Sequence, residues 1–170
     1  IELRDDWSKK GYPDLSIRCG VHTAEVLVGN IGSPQRMKYG VLGDGVNLAS
    51  RLEELNKRYG SKLMISEGTF NEIAGLKKHL CRQLDIVAVK GRTEGTAVYE
   101  VFGSIEKCSE GWVSLANKHN KAFTLYKERE FEKAAKLFED VNSQYKSLAG
   151  KDDKASILLK DRCEKFIVDP

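Results

Sequence analysis

Proline is scarce, with three residues in a chain of 170, and no apolar run approaches the length of a membrane span. The longest runs, such as Ile86-Val87-Ala88-Val89, fall far short of the roughly 20 residues that a bilayer-crossing helix needs. Cysteine occurs four times, at Cys19, Cys81, Cys108 and Cys163, and never as a Cys-x-x-Cys pair. That spacing argues against a zinc site and against a dense disulfide framework, and reads as reduced intracellular thiols. His22, His79 and His119 are equally scattered and offer no metal-ligand pattern. Neither sign of charge dominates: 28 basic and 25 acidic side chains leave a formal charge of +3, spread evenly along the chain. No block is basic enough for a nucleic-acid footprint, so no nucleic-acid partner is expected. No signal-peptide pattern opens the sequence.

What is there is ordinary globular usage, 41% hydrophobic and 31% charged, which supports a buried core. Over the first hundred residues short strand patterns alternate with helical ones, the signature of an α/β or α+β domain. Leu15, Ile17, Cys19 and Val21 alternate with polar neighbours, and a second strand is expected over 25–28. Gly29, Gly32, Ser33 and Pro34 then mark a loop, and a strand over 37–42 leads into Gly43-Asp44-Gly45, with Asp44 as a candidate N-cap. Leu48, Leu52 and Leu55 recur at helical spacing, so 45–59 reads as an amphipathic helix stopped by Gly60. A strand over 62–65, a brief helix capped by Ser66 and ended by Gly75, and strands over 84–89 and 97–102 complete this part.

After about residue 104 glycine becomes rare and lysine and glutamate dominate. Trp112, Leu115, Ala122, Phe123 and Tyr126 form one helical stripe; Phe131, Ala134, Leu137, Phe138 and Val141 form another. A third helix is expected over 152–166. The expected division is therefore residues 1–104 and a helical tail, 105–170, that resembles one tetratricopeptide-type hairpin plus one helix. Such a hairpin cannot bury its own apolar faces, so the tail is expected to pack on the preceding domain or on a protein partner.

On the helix from residue 45, Asn47 and Arg51 stand four apart and project from one face beside the leucine stripe. By spacing alone a solvated surface pair is the better reading. The surrounding run says more: Gly20-Val21-His22-Thr23, then Gly29-Asn30-Ile31-Gly32-Ser33-Pro34-Gln35-Arg36-Met37-Lys38-Tyr39, then Val41-Leu42-Gly43-Asp44-Gly45-Val46-Asn47-Leu48-Ala49-Ser50-Arg51-Leu52-Glu53, and later Leu84-Asp85-Ile86-Val87-Ala88-Val89-Lys90-Gly91-Arg92. In order and spacing this resembles the class III adenylate and guanylate cyclases, from about residue 12 to residue 103.

The resemblance implies a ferredoxin-like, βαβ-rich α+β cyclase domain, here its C-terminal half without the first strands, followed by the all-α hairpin. It implies conversion of ATP or GTP to a cyclic 3′,5′-monophosphate and pyrophosphate, at a site shared with a second cyclase domain in a homo- or heterodimer. Asn47 and Arg51 would be catalytic, Asn47 positioning the ribose and Arg51 stabilising charge on the α-phosphoryl group. Lys90 would hold the terminal phosphates, and Gly40, Gly43, Asp44 and Val46 mark further nucleotide-binding positions. Magnesium or manganese would be the cofactor, with its aspartate ligands expected upstream or on a partner and no metal ligand in this chain. An intracellular, cytoplasmic-side location is implied, free or within a larger or membrane-attached protein.

Two positions depart from the family's pattern. Gly40 stands where the family usually has an Asp or Thr that contacts adenine, and Ala24 replaces the usual glycine after His-Thr. Gly40 motivates an alternative function, a catalytically degenerate cyclase-like domain serving as a structural or partner-binding module.

Overall fold

The computed structural model describes residues 6–7, 9–13, 16–88 and 95–169. Strand β1 (Cys19–Val21) is followed by the hairpin β2 (Leu27–Ser33) and β3 (Arg36–Leu42), then helix α1 (Asp44–Tyr59), strand β4 (Leu63–Ser66) and helix α2 (Glu67–Ala74). Strands β5 (His79–Val87) and β6 (Thr96–Ser104), a short 3-10 turn (Ile105–Lys107), and helices α3 (Glu110–Lys127), α4 (Phe131–Ala149) and α5 (Lys154–Val168) complete the chain. The architecture is mixed α+β. Among the described residues one four-stranded sheet has the order β1-β4-β6-β5, and β2 pairs only with β3. Strand β4 runs parallel to β1, while β6 is antiparallel to both of its neighbours.

The glycines at 29 and 32 mislead the sequence reading of a loop there. Strand β2 runs through them to Ser33, and only Pro34 and Gln35 turn. Gly29 faces Gly40 directly across the hairpin, so two residues without side chains form one rung of the ladder. Strand β5 also begins five residues earlier than the periodicity suggested. The expected joint between these two strands, 90–95, lies outside the described residues except for Gly95, and the two strands pair antiparallel as a hairpin requires.

Helix α1 buries Leu48, Leu52 and Tyr59 against Met64, Leu84, Val87 and Val98 of the sheet. Its approach to β1 is close: a Cβ at Gly20 would overlap the Ala49 carbonyl oxygen and the Glu53 amide nitrogen, so only glycine fits there. Gly60 in the left-handed conformation ends the helix as expected. Ser66 caps α2, its hydroxyl accepting the Thr69 amide at 3.3 Å. Gly75 follows the last turn of α2 in a right-handed conformation, and the positive φ falls on Lys77 instead.

The tail helices pack on the sheet as well as on one another. Ala122, Phe123, Ala134, Phe138, Leu159 and Cys163 form their own core, while Ala155 and Leu158 of α5 join the core beneath α1. A third cluster sets Leu115, Val141 and Tyr145 against Phe102 of β6.

Candidate active site

Strand β3 leads through Gly43 straight into α1, so Gly40, Gly43, Asp44, Val46 and Asn47 follow one another out of the hairpin and into the first helical turns. Gly43, at φ 153°, takes the N-cap position that Asp44 was expected to hold. Asp44 instead opens the helix without a side-chain cap bond, and its carboxylate in the first turn still favours the positive end of the helix dipole. The backbone amide of Val46 reaches back to the Gly43 carbonyl at 3.1 Å.

Asn47 and Arg51 are both exposed, one turn apart, while the neighbouring Leu48 and Leu52 are buried. Burial of the leucines fixes the rotation of the helix, and the rotation decides which way the two polar side chains face. Arg51 does not float: its Nη1 donates to the Ala88 carbonyl, just beyond β5, at 2.7 Å. Lys90 lies outside the described residues.

Two features border this face. Segment 22–24 is clamped between α1 and α2: His22 Nδ1 lies 2.7 Å from the Ser66 hydroxyl and Thr23 Oγ1 lies 3.1 Å from Thr69 Oγ1. The Ala24 methyl sits where a side chain at residue 45 would begin, 2.7 Å from the place a Gly45 Cβ would occupy. The hairpin is the second feature: Leu27 and Tyr39 are each 76% exposed, and Val28, Met37, Val41 and Leu42 are exposed too. Among the described residues this is an apolar ribbon with little of its surface covered.

Two polar groupings escaped the sequence reading. At the junction of sheet and tail, Arg82 is 1% exposed and each of its three nitrogens has a polar partner. Nε donates to Glu100 Oε2 at 2.8 Å, with Nη2 2.7 Å from the same oxygen as an ion pair, Nη1 and Nη2 donate to Asp153 at 2.6 and 2.8 Å, and Nη1 lies 3.4 Å from His119 Nδ1. Burial would raise the Asp153 carboxyl, but hydrogen bonds and charge from Arg82 outweigh it and hold it below the ordinary range. The second grouping joins Tyr59, Asp85 and Arg162. Tyr59 OH donates to Asp85 Oδ2 in a short hydrogen bond, and Arg162 donates to Asp85 Oδ2 at 3.0 Å and to Tyr59 OH at 3.3 Å. Burial, then the Asp85 hydrogen bond, push the Tyr59 hydroxyl up to about 12, so it stays a donor. A signal for the first grouping existed: Leu80, Arg82 and Leu84 share one strand face, and Leu115, His119 and Ala122 share one helix face.

Among the described residues no group of three His, Cys, Asp or Glu side chains is arranged to hold a metal ion.

The adenylate and guanylate cyclase catalytic domain model matches residues 1–103. Adenylate cyclase 1 of Rhizobium meliloti is 37% identical over 95 residues, which is 56% of this chain and 14% of that protein. The terminal-differentiation-specific adenylate cyclase of Dictyostelium discoideum is 32% identical over 163 residues, 94% of this chain and 7% of that protein, so the likeness extends into the helices after residue 104. The crystal structure of the adenylyl cyclase CyaB from P. aeruginosa superposes with a TM-score of 0.50 at 34% identity, covering 64% of this chain and 54% of that one. The chain thus spans only a small part of the length of these curated relatives.

Proposed function

The chain belongs to the adenylate and guanylate cyclase catalytic domain family, and from that premise we propose that it forms cyclic 3′,5′-monophosphate and pyrophosphate from a nucleoside triphosphate, at an interface with a second cyclase domain. The observation that carries this reading is the Asn47–Arg51 pair, exposed on a helix whose buried face fixes its rotation, with Arg51 held by Ala88. The apolar hairpin beside it supports the interface: an uncovered ribbon with Leu27 and Tyr39 at its surface suits a partner domain.

The ribose 3′-oxygen attacks the α-phosphorus in line as pyrophosphate leaves, so catalysis is positioning and charge stabilisation. The Asn47 carboxamide orients the ribose. The Arg51 guanidinium, charged at every relevant pH and planar, meets the oxygens on which charge develops. Lys90 holds the terminal phosphates. Gly40 supplies no side chain to the base, so discrimination between ATP and GTP is weak at that contact. The same glycine is the observation behind a second reading, a domain that binds a partner without turnover. An intracellular, cytoplasmic-side location belongs to the proposal too; Cys19, Cys81, Cys108 and Cys163 are all free thiols.

The test is cyclic nucleotide formation from ATP and from GTP by the complete gene product, with magnesium or manganese. Turnover that falls by two to three orders of magnitude in Arg51→Ala supports the reading. Turnover untouched by that change overturns it, and no turnover in the parent protein favours the binding module.

A further inference from the structure

Arg51 owes its position to two elements, α1, which carries it, and the end of β5, where the Ala88 carbonyl holds it. These elements are joined a second time, farther along both. Tyr59 lies eight residues beyond Arg51, about 12 Å along the helix, and Asp85 lies three residues before Ala88, about 10 Å along the strand. Their side chains meet in the short Tyr59–Asp85 hydrogen bond. The pairing of β5 with β6 is irregular between Gln83 and Asp85, so the ladder alone does not fix this stretch. Asp85 Oδ1 accepts the Ile86 amide at 2.9 Å, so its carboxylate also shapes the backbone leading to Ala88.

Arg162 of α5 closes this second joint, bonding both Asp85 and Tyr59 with a side chain only 23% exposed. We propose that Arg162 is a positioning residue for Arg51: through Asp85 and Tyr59 the tail holds α1 and the end of β5 at the spacing that presents the Arg51 guanidinium. This rests on the cyclase reading above and extends it, because it makes the tail a working part of the catalytic unit. Arg162 touches no substrate.

The experiment measures kcat and KM for the complete gene product carrying Arg162→Gln, Arg162→Lys, Arg51→Lys and the double variant Arg51→Lys with Arg162→Gln. Misplacement on the order of 1 Å costs up to about a hundredfold, so Arg162→Gln is expected to lower kcat 10- to 100-fold with KM within about threefold, and Arg162→Lys to recover part of the loss. In the Arg51→Lys background the Arg162→Gln penalty should shrink to within about threefold. An unchanged kcat in Arg162→Gln, or the same fold loss in both backgrounds, overturns the proposal. Should Arg162→Gln fail to fold, Asp85→Asn, which keeps the side-chain shape, takes its place with the same expected and overturning results. If instead Arg51→Lys itself leaves kcat unchanged, it is the cyclase reading that fails.

Discussion

The junction between sheet and tail and the face formed by the hairpin and the start of α1 are built on opposite principles. At the junction a guanidinium, two carboxylates, an imidazole and a hydroxyl are buried together, each nitrogen of Arg82 answered from β6, α3 or the start of α5. At the other face Leu27, Tyr39, Asn47 and Arg51 stand exposed, apolar and polar side chains mixed and little satisfied from within. Buried charge tolerates no missing partner, whereas exposed groups cost little to change. The first region should therefore answer to stability measurements, and the second to activity and association.

Arg82→Met should have the largest effect. It leaves Glu100 and Asp153 buried without their cation, at a cost of about 3–5 kcal/mol in chemical denaturation. Arg51→Ala comes next and separates the regions most sharply. A turnover loss of about 2.7–4 kcal/mol should accompany an unfolding free energy within about 0.5 kcal/mol of the parent. If both regions changed stability alike, the contrast would fail.

A pH titration of stability sharpens the account of the junction. Burial first, then the Arg82 charge, push the His119 imidazole down to about 3 from its ordinary 6.5. Between those values the unfolded chain holds a proton that the folded protein does not. The contribution of His119 is thus fully present above about pH 6.5 and declines as pH falls toward 3, by at most about 1.4 kcal/mol per unit. Arg82, Asp153, Ser156 and the Gln83 carbonyl all face this ring. Glu100, raised by burial, binds its proton more readily in the fold and offsets part of the slope above pH 4.5. His119→Gln should flatten the difference between pH 6 and pH 4 in denaturation curves. Tyr39→Glu has the smallest expected effect on stability, within about 0.5 kcal/mol, yet it should abolish dimer formation in sedimentation if the hairpin is the interface.

The exposed face was the more legible in sequence. Leu48, Leu52 and Gly60 define α1, and the motif around Asn47 and Arg51 carries the family. The extent of β2 was not legible, because Gly29 and Gly32 carry a loop's composition while their backbones pair with β3. Nor was Gly43 as the helix cap, since a glycine leaves no side-chain signature of capping. The junction was harder still. Arg82, Glu100, His119 and Asp153 are ordinary charged or polar residues in sequence, and only the three-dimensional crossing of β5, β6, α3 and α5 brings them together.

The 71 residues that separate Arg82 from Asp153 have a meaning in time. At a synthesis rate of about 5–20 residues per second, Arg82 is made roughly 4–14 s before Asp153, the second of its two carboxylate partners. Until then Arg82 has Glu100 of the neighbouring strand as its single carboxylate partner, with its guanidinium over the Phe102 ring. A chain halted in this interval carries a half-paired guanidinium on the sheet, and the start of α5 completes its pairing.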